Sequence, residues 1–276
     1  MTDSSTATPE VLKADLFRGQ SALVTGAGTG IGRAISLRLC ALGMSVFGVG
    51  RREEPLGEVA DMAKALTGSF DWASCNVRDK EAVAALVERV GQAQGIDLLV
   101  NNAGGQFFAP AEKISQKGWE TVVDLNLNAI FGVTRAAYPF LRARRGAVVS
   151  ISLSGVDRGS MGLAHSIAAR AGVLGMTRSL ALEWARHGIR LNCIGPGTVV
   201  TEGLSGEAAR ALLEGLVDAT PMKEPTPAAD VAELVAYLAS PAGRLMTGQL
   251  IQIDGGAHLG RGLHMLDEGG ADDDAA

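Results

Sequence analysis

The chain has 276 residues, of which 47% are hydrophobic and 20% charged, enough apolar side chain for the buried core of one α/β domain. A formal net charge of −5 excludes the broad basic surface that phosphate-backbone binding requires, so nucleic acid is not an expected partner. Cys40, Cys75 and Cys193 are odd in number, show no CxxC spacing and sit in apolar contexts, as reduced core cysteines do.

The opening "MTDSSTATPEVLKADLF" is polar and acidic, without the basic stretch and apolar run of a secretory signal, and residues 1–18 are expected to form a flexible arm. No apolar run reaches the roughly 18 residues of a membrane span, so no membrane partner is expected. From residue 19 to about 260, short apolar runs alternate with helical patterns, which predicts βαβ units in a single domain. "SALVTG" is the first strand, and Ile31, Ile35, Leu39 and Leu42 recur at helical spacing after it. "MSVFGVG" and "FDWASCNV" are the next strands, followed by a helix over 79–94, the strand "GIDLLVNNAG" and one long helix over about 117–143. "GAVVSISLS", a helix over 164–187, "IRLNCIGPG", a Pro- and Gly-punctuated stretch over 196–227, a helix near 229–239 and "GQLIQIDGG" complete the series. About seven strands with helices between them give an α/β, Rossmann-like doubly wound parallel sheet. Residues 261–276 read as an acidic flexible tail without a peroxisomal Ser-Lys-Leu ending, and the cytoplasm is the expected location.

"VTGAGTGIG" places Gly26, Gly30 and Gly32 where the first strand turns into the first helix, with Gly28, Thr29 and Ile31 in the same turn. Glycines there allow a tight turn, close approach of backbone to a pyrophosphate and close helix–strand packing, while helix N–H groups face the anion. About 20 residues further on, an NAD site usually offers a carboxylate to the adenosine ribose. This chain offers Arg51 and Arg52, whose guanidinium groups suit a 2′-phosphate, so NADP(H) is the expected cofactor. The alternative is that the arginines, with Glu53 and Glu54, decorate a solvated helix start. Asn76 and Val77, ending the third strand, are placed to meet the adenine edge and face.

"TGAGTGIG", "NNAG" at 101–104, Asn126 in "DLNLNAIF", "PGTVVT" at 196–201 and the closing "GQLIQIDGG" together resemble the short-chain dehydrogenase/reductase superfamily over nearly the whole chain. The resemblance implies that Asn102, Ala103 and Gly104 line the adenine-ribose side, and that Pro196, Gly197, Val199 and Thr201 hold the nicotinamide amide and diphosphate. It also implies a mobile substrate lid over 202–226 and a homotetramer, with a dimer as the next choice.

Usual members of that superfamily carry an Asn in the long helix, a Ser after the fifth strand, and a Tyr and Lys four apart on the next helix. A Ser hydroxyl and an acidic Tyr hydroxyl stabilise and protonate the oxygen of a carbonyl under reduction, and Lys lowers the Tyr pKa. Asn126 matches the first position, but Leu153 takes the Ser place and "HSIAAR" puts Ser166 and Arg170 at the Tyr and Lys places. The only tyrosines are Tyr138 and Tyr237, and no lysine lies between Lys117 and Lys223, so the pair has not moved along the chain. A serine hydroxyl is a far weaker acid than a phenol, and Arg does not carry protons.

Reduction of a carbon–carbon double bond conjugated to a thioester asks less of the protein: hydrogen-bond donors at the developing enolate oxygen can suffice. "NNAGGQFFAPAEKISQKGW", "AHSIAARAGV" and "SLALEWARHGIRLNC" resemble the peroxisomal trans-2-enoyl-CoA reductase subgroup, in a relative of bacterial type. That resemblance implies Asn126, Ser166 and Arg170 as the catalytic set, Arg170 also holding the ribose, and Gln106, Phe107 and His165 beside an enoyl-CoA substrate. His165 points about 100° from Ser166 on a helix, so packing or a coenzyme-A-facing role competes with catalysis. Two other readings stay open: an alcohol or 3-oxoacyl dehydrogenase, possibly acting on a terpenoid alcohol, and a catalytically silent dinucleotide-binding member. Asp254 is expected to order the C-terminal turn, no metal site is expected, and His187, His258 and His264 read as surface residues.

Overall fold

A computed structural model describes residues 12–200 and 207–260, with side chains from residue 212 in the second stretch. Seven parallel strands, β1 (Ser21–Thr25), β2 (Ser45–Gly50), β3 (Ser69–Ser74), β4 (Leu98–Asn101), β5 (Ala147–Ile151), β6 (Arg190–Pro196) and β7 (Leu250–Ile253), form one sheet in the order β3-β2-β1-β4-β5-β6-β7. Parallel strands need crossovers, supplied by α1 (Gly30–Ala41), α2 (Glu53–Ala63), α3 (Lys80–Gln94), α4 (Gln116–Val123), α5 (Ala129–Arg144), α6 (Ala164–Trp184) and α8 (Ala228–Ala239). The doubly wound sheet agrees with the fold expected from the apolar alternation.

Side chains alternate across each strand, so each strand feeds two cores. Ala22, Val24, Leu98, Val100 and Val149 pack with Leu39 of α1 and Val231 and Val235 of α8 on one face. Leu23, Leu99 and Val148 pack with Val87 of α3 and Val133 and Leu141 of α5 on the other. Burial on both faces explains why the central strands read as continuous apolar runs. The order reverses between β1 and β4, and the crevice beyond their carboxyl ends is where such a sheet takes a ligand.

Three expectations change. Phe17, inside the expected arm, is fully buried, and its N–H donates to the Leu42 carbonyl at 2.9 Å, so the packed chain starts before residue 19. The single helix expected over 117–143 is two, joined by a π-helical segment at Asp124–Asn128. A further helix, α7 (Glu207–Asp218), lies within the stretch expected only as a lid. Thr201 and the start of that lid, like the C-terminal tail with His264, fall outside the described residues.

Candidate active site

The cofactor end is defined by what a side chain would strike. Gly26 and Gly30 have φ of +66° and +52°, a region that L side chains avoid. A Cβ on Gly32 would lie 2.0 Å from the Gly26 carbonyl oxygen and 2.5 Å from Asn102 Nδ2, so α1 can approach β1 only through glycine. Asn102 secures this contact, donating to the carbonyls of Thr25 and Gly26 at 3.1 Å each. The Thr25 hydroxyl accepts from the N–H groups of Asn102 and Ala103 at 3.1 and 3.0 Å. The Thr29 side chain makes no capping hydrogen bond at the start of α1.

Arg51 and Arg52 lie exposed at the end of β2, Arg52 at the N-cap position of α2 without a side-chain cap bond, and neither pairs with Glu53 or Glu54 among the described residues. Asn76 is exposed, its oxygen accepting from the Arg78 N–H, and Val77 leans on the second core. Across the cleft, Gly197 sits on the C-terminal turn, where a Cβ would meet Thr226 Oγ1 at 2.8 Å and Asp254 Cα at 2.9 Å. Val199 is half-buried on the same connection and Pro196 ends β6 fully covered. The bare glycine cradle, the adjoining helix start and the exposed arginine pair fit the pyrophosphate and 2′-phosphate of a dinucleotide.

The catalytic end is a knot of side chains. The π-helical segment turns Asn126 inward, fully buried, where it clamps the connection after β4: its Nδ2 donates to the Gly105 carbonyl at 2.7 Å and its Oδ1 accepts from the Gly105 N–H at 3.1 Å. π-helical turns inside α-helices recur at functional sites. Arg170 Nη2 reaches the same Oδ1 at 3.3 Å, and its Nη1 donates to the Ile151 carbonyl at the end of β5. A Cβ on Gly104 would lie 2.6 Å from Arg170 Nη2, so only glycine lets the turn pass the guanidinium. Burial pushes the Arg170 guanidinium down to about 10, which leaves it charged at neutral pH.

Ser166, on the first turn of α6, is fully buried, and its Oγ donates to Gln106 Oε1 at 2.5 Å. The neighbouring His165 is also fully buried, both ring nitrogens without a hydrogen-bond partner among the described residues and its ring edge-on to Phe107 at 4.4 Å. No His165–Ser166 pair forms, as the helical angle predicts. Beside these residues an apolar cavity of about 670 Å³ opens between Phe108–Ala111 and Ser160–Gly162, bounded by Ala164. Leu153 lies beyond β5, the Ser152 hydroxyl is buried without a partner among the described residues, and Ser154 donates to Asp254.

The fold brings Asn126, Ser166, Arg170, Gln106, Phe107 and His165 together at one end of the sheet. It adds the Gln106–Ser166 bond and the Asn126 clamp, joining residues far apart in sequence that no local pattern announces. Asp254 orders the C-terminal turn, accepting from the N–H groups of Gly256 and His258. His258, a third exposed, partners that carboxylate, Nδ1 to Oδ1 at 3.0 Å. Among the described residues no cluster of His, Cys, Asp or Glu could hold a metal ion, and no helix is long and apolar enough to cross a membrane.

A glycine cradle on β1–α1 at the switch point and a buried polar set on the Asp124–Asn128 segment and α6 define a dinucleotide-binding protein of the doubly wound class. Residues 26–258 match the family described as "Enoyl-(Acyl carrier protein) reductase". The chain belongs to the short-chain dehydrogenase/reductase superfamily of NAD(P)-dependent oxidoreductases. It is 35% identical over 245 residues to the 3-oxoacyl-[acyl-carrier-protein] reductase FabG of Thermotoga maritima, covering 87% of this chain and 98% of that one. It is 34% identical over 269 residues to the probable 2,4-dienoyl-CoA reductase 3 of Caenorhabditis elegans, covering 93% and 86%. Among solved structures, the citronellol catabolism dehydrogenase AtuB of Pseudomonas aeruginosa PAO1 superposes with a TM-score of 0.81 at 36% identity, over 91% of this chain and all of that one. A putative NAD(P)-dependent gluconate 5-dehydrogenase from Beutenbergia cavernae, with NADP bound, gives 0.82 at 33% identity, over 89% and 99%.

Proposed function

We propose that the protein uses NADP(H) to reduce the carbon–carbon double bond of a trans-2-enoyl thioester, an enoyl-CoA. The observation that carries this reading is the buried Ser166–Arg170 pair at the place where carbonyl reduction needs a phenol and an amine. Neither tyrosine substitutes: Tyr138 packs on Trp184 at 4.7 Å, and Tyr237 is exposed on α8. An alkoxide left by carbonyl reduction must be protonated by a neighbouring acid, whereas an enolate oxygen needs only donors until its α carbon takes a proton from water.

When bound, the nicotinamide supplies a hydride for the β carbon of the substrate. Ser166 donates its hydroxyl proton as a hydrogen bond to the thioester oxygen, where charge gathers. Arg170, held by Ile151 and Asn126, gives the site fixed positive potential and would hold the cofactor ribose. Asn126 keeps the Gly104–Gly105 turn beneath the substrate. Gln106, Phe107 and His165 border the thioester, and the apolar cavity takes the acyl chain. The unpaired Arg51 and Arg52 select NADPH over NADH. The likeness to a probable 2,4-dienoyl-CoA reductase and to a 3-oxoacyl-[acyl-carrier-protein] reductase supports an acyl thioester as the substrate class. We further propose a cytoplasmic homotetramer, with Phe131 on α5 and Leu182 on α6, both exposed, at its interfaces.

A second reading, reduction of a 3-oxoacyl thioester or oxidation of a terpenoid alcohol with a water assisting Ser166, is favoured by the likeness to FabG and AtuB. Purified protein with NADPH or NADH, offered a trans-2-enoyl-CoA, a 3-oxoacyl-CoA and citronellal in turn, separates the two by loss of reduced-cofactor absorbance. Turnover of the enoyl thioester with NADPH is expected. Turnover of a carbonyl compound alone would replace the first reading with the second, and dinucleotide binding without turnover would mark a silent protein.

A further inference from the structure

We propose that Gln106 is a positioning residue whose side-chain amide sets the direction of the Ser166 proton. The inference rests on the reading of Ser166 as a donor to substrate. A serine hydroxyl has one proton, and here it goes to Gln106 Oε1 at 2.5 Å. That acceptor is itself a carbonyl oxygen, so Gln106 takes the hydrogen bond that the substrate carbonyl requires. Ser166 must therefore be released before it can serve an enolate.

The surroundings restrict how release can happen. The backbone before Gln106 is clamped on both sides of Gly105 by Asn126, and the residue after it, Phe107, lies against His165 with its ring close over Gly118. Withdrawing the turn would break those contacts. Rotation about the terminal torsion of a glutamine is soft and roughly two-fold, and it breaks none of them. Gln106 is exposed and Ser166 fully buried, so the moving partner is Gln106. After rotation, Nε2 donates to a Ser166 lone pair and the Ser166 proton faces the cleft. A donor feeding a donor polarises the hydroxyl, so Gln106 supplies part of the activation that a Tyr/Lys pair would give. No other side chain among the described residues hydrogen-bonds Ser166 Oγ.

The test measures kcat and KM for a trans-2-enoyl-CoA at saturating NADPH from pH 5 to 8, on full-length Gln106→Met, Gln106→Glu, Ser166→Ala and the Ser166→Ala/Gln106→Met pair, with thermal melts as folding controls. Gln106→Met, close in shape but without a donor, should lower kcat about tenfold with KM little changed. Gln106→Glu, ionised and acceptor-only, should hold the Ser166 proton and lower kcat about 100-fold at pH 8. That deficit should shrink about tenfold towards pH 5, as protonation near the ordinary Glu pKa of about 4.3 restores a donor. The Met deficit should stay flat with pH, and the double variant should lose nothing beyond Ser166→Ala. Equal, pH-parallel deficits for Met and Glu, or a full Gln106→Met loss in the Ser166→Ala background, would overturn the proposal. An unimpaired Ser166→Ala would remove the donor reading and the proposal with it.

Discussion

At the cofactor end, β1 and α1 meet through backbone: Gly26 and Gly32 touch with no side chain between them, and Asn102 and Thr25 spend their polar groups on main-chain partners. At the catalytic end, side chains hold one another. Arg170 and Gly105 share the Asn126 oxygen, Ser166 gives its proton to Gln106, and both nitrogens of His165, Arg170 Nε and the Ser152 hydroxyl are buried without partners among the described residues. At the cradle the open groups are helix-start N–H donors suited to an anion, whereas buried side-chain polar atoms without partners cost free energy that a ligand or water can recover. The first region is built for one recurrent chemical object, a pyrophosphate, and the second leaves room for its chemistry to vary.

That contrast predicts different failures under mutation. The largest effect belongs to Gly32→Ala: its Cβ would press on backbone that cannot turn aside, so dinucleotide binding should be lost and the melting temperature should fall, with overpacking costing about 1–3 kcal/mol or more. Titration by cofactor fluorescence and a thermal melt would check this against Gly57→Ala, where an added Cβ meets open space. Retained NADPH affinity in Gly32→Ala would break the backbone account. Next comes Ser166→Ala, which should lower kcat by about 10²–10³-fold, as loss of an oxyanion donor does, while melting temperature and NADPH affinity hold. The partner left behind, Gln106, is exposed and can turn to water, so the fold should not suffer. Equal losses of stability and rate would assign Ser166 to packing instead.

Legibility in sequence differed between the same two regions. The βα alternation, the glycine turn and the arginines after β2 were readable because each is local: a strand, a turn and a helix follow one another within a few dozen residues. The exchange of Tyr and Lys for Ser166 and Arg170 was readable because both lie one helical turn apart. Gln106 meeting Ser166 across the fold was not, because contact between distant segments depends on how the β4 connection folds back over α6. The π-helical segment at Asp124–Asn128 escaped notice because its apolar spacing barely departs from that of an α-helix. Nothing in the sequence marks Phe17 as core, because a lone aromatic in a polar run has no periodicity.

The central claim is that the bond reduced is carbon–carbon. Its most direct measurement offers the protein an equal mixture of a trans-2-enoyl-CoA and a 3-oxoacyl-CoA, with NADPH deuterated at the transferable position, and locates the label in the products by NMR and mass spectrometry. Deuterium on the β carbon of a saturated acyl-CoA, with the α hydrogen drawn from solvent, is the predicted result. Deuterium on the hydroxyl-bearing carbon of a 3-hydroxyacyl-CoA, with the enoyl-CoA left unlabelled, would contradict it.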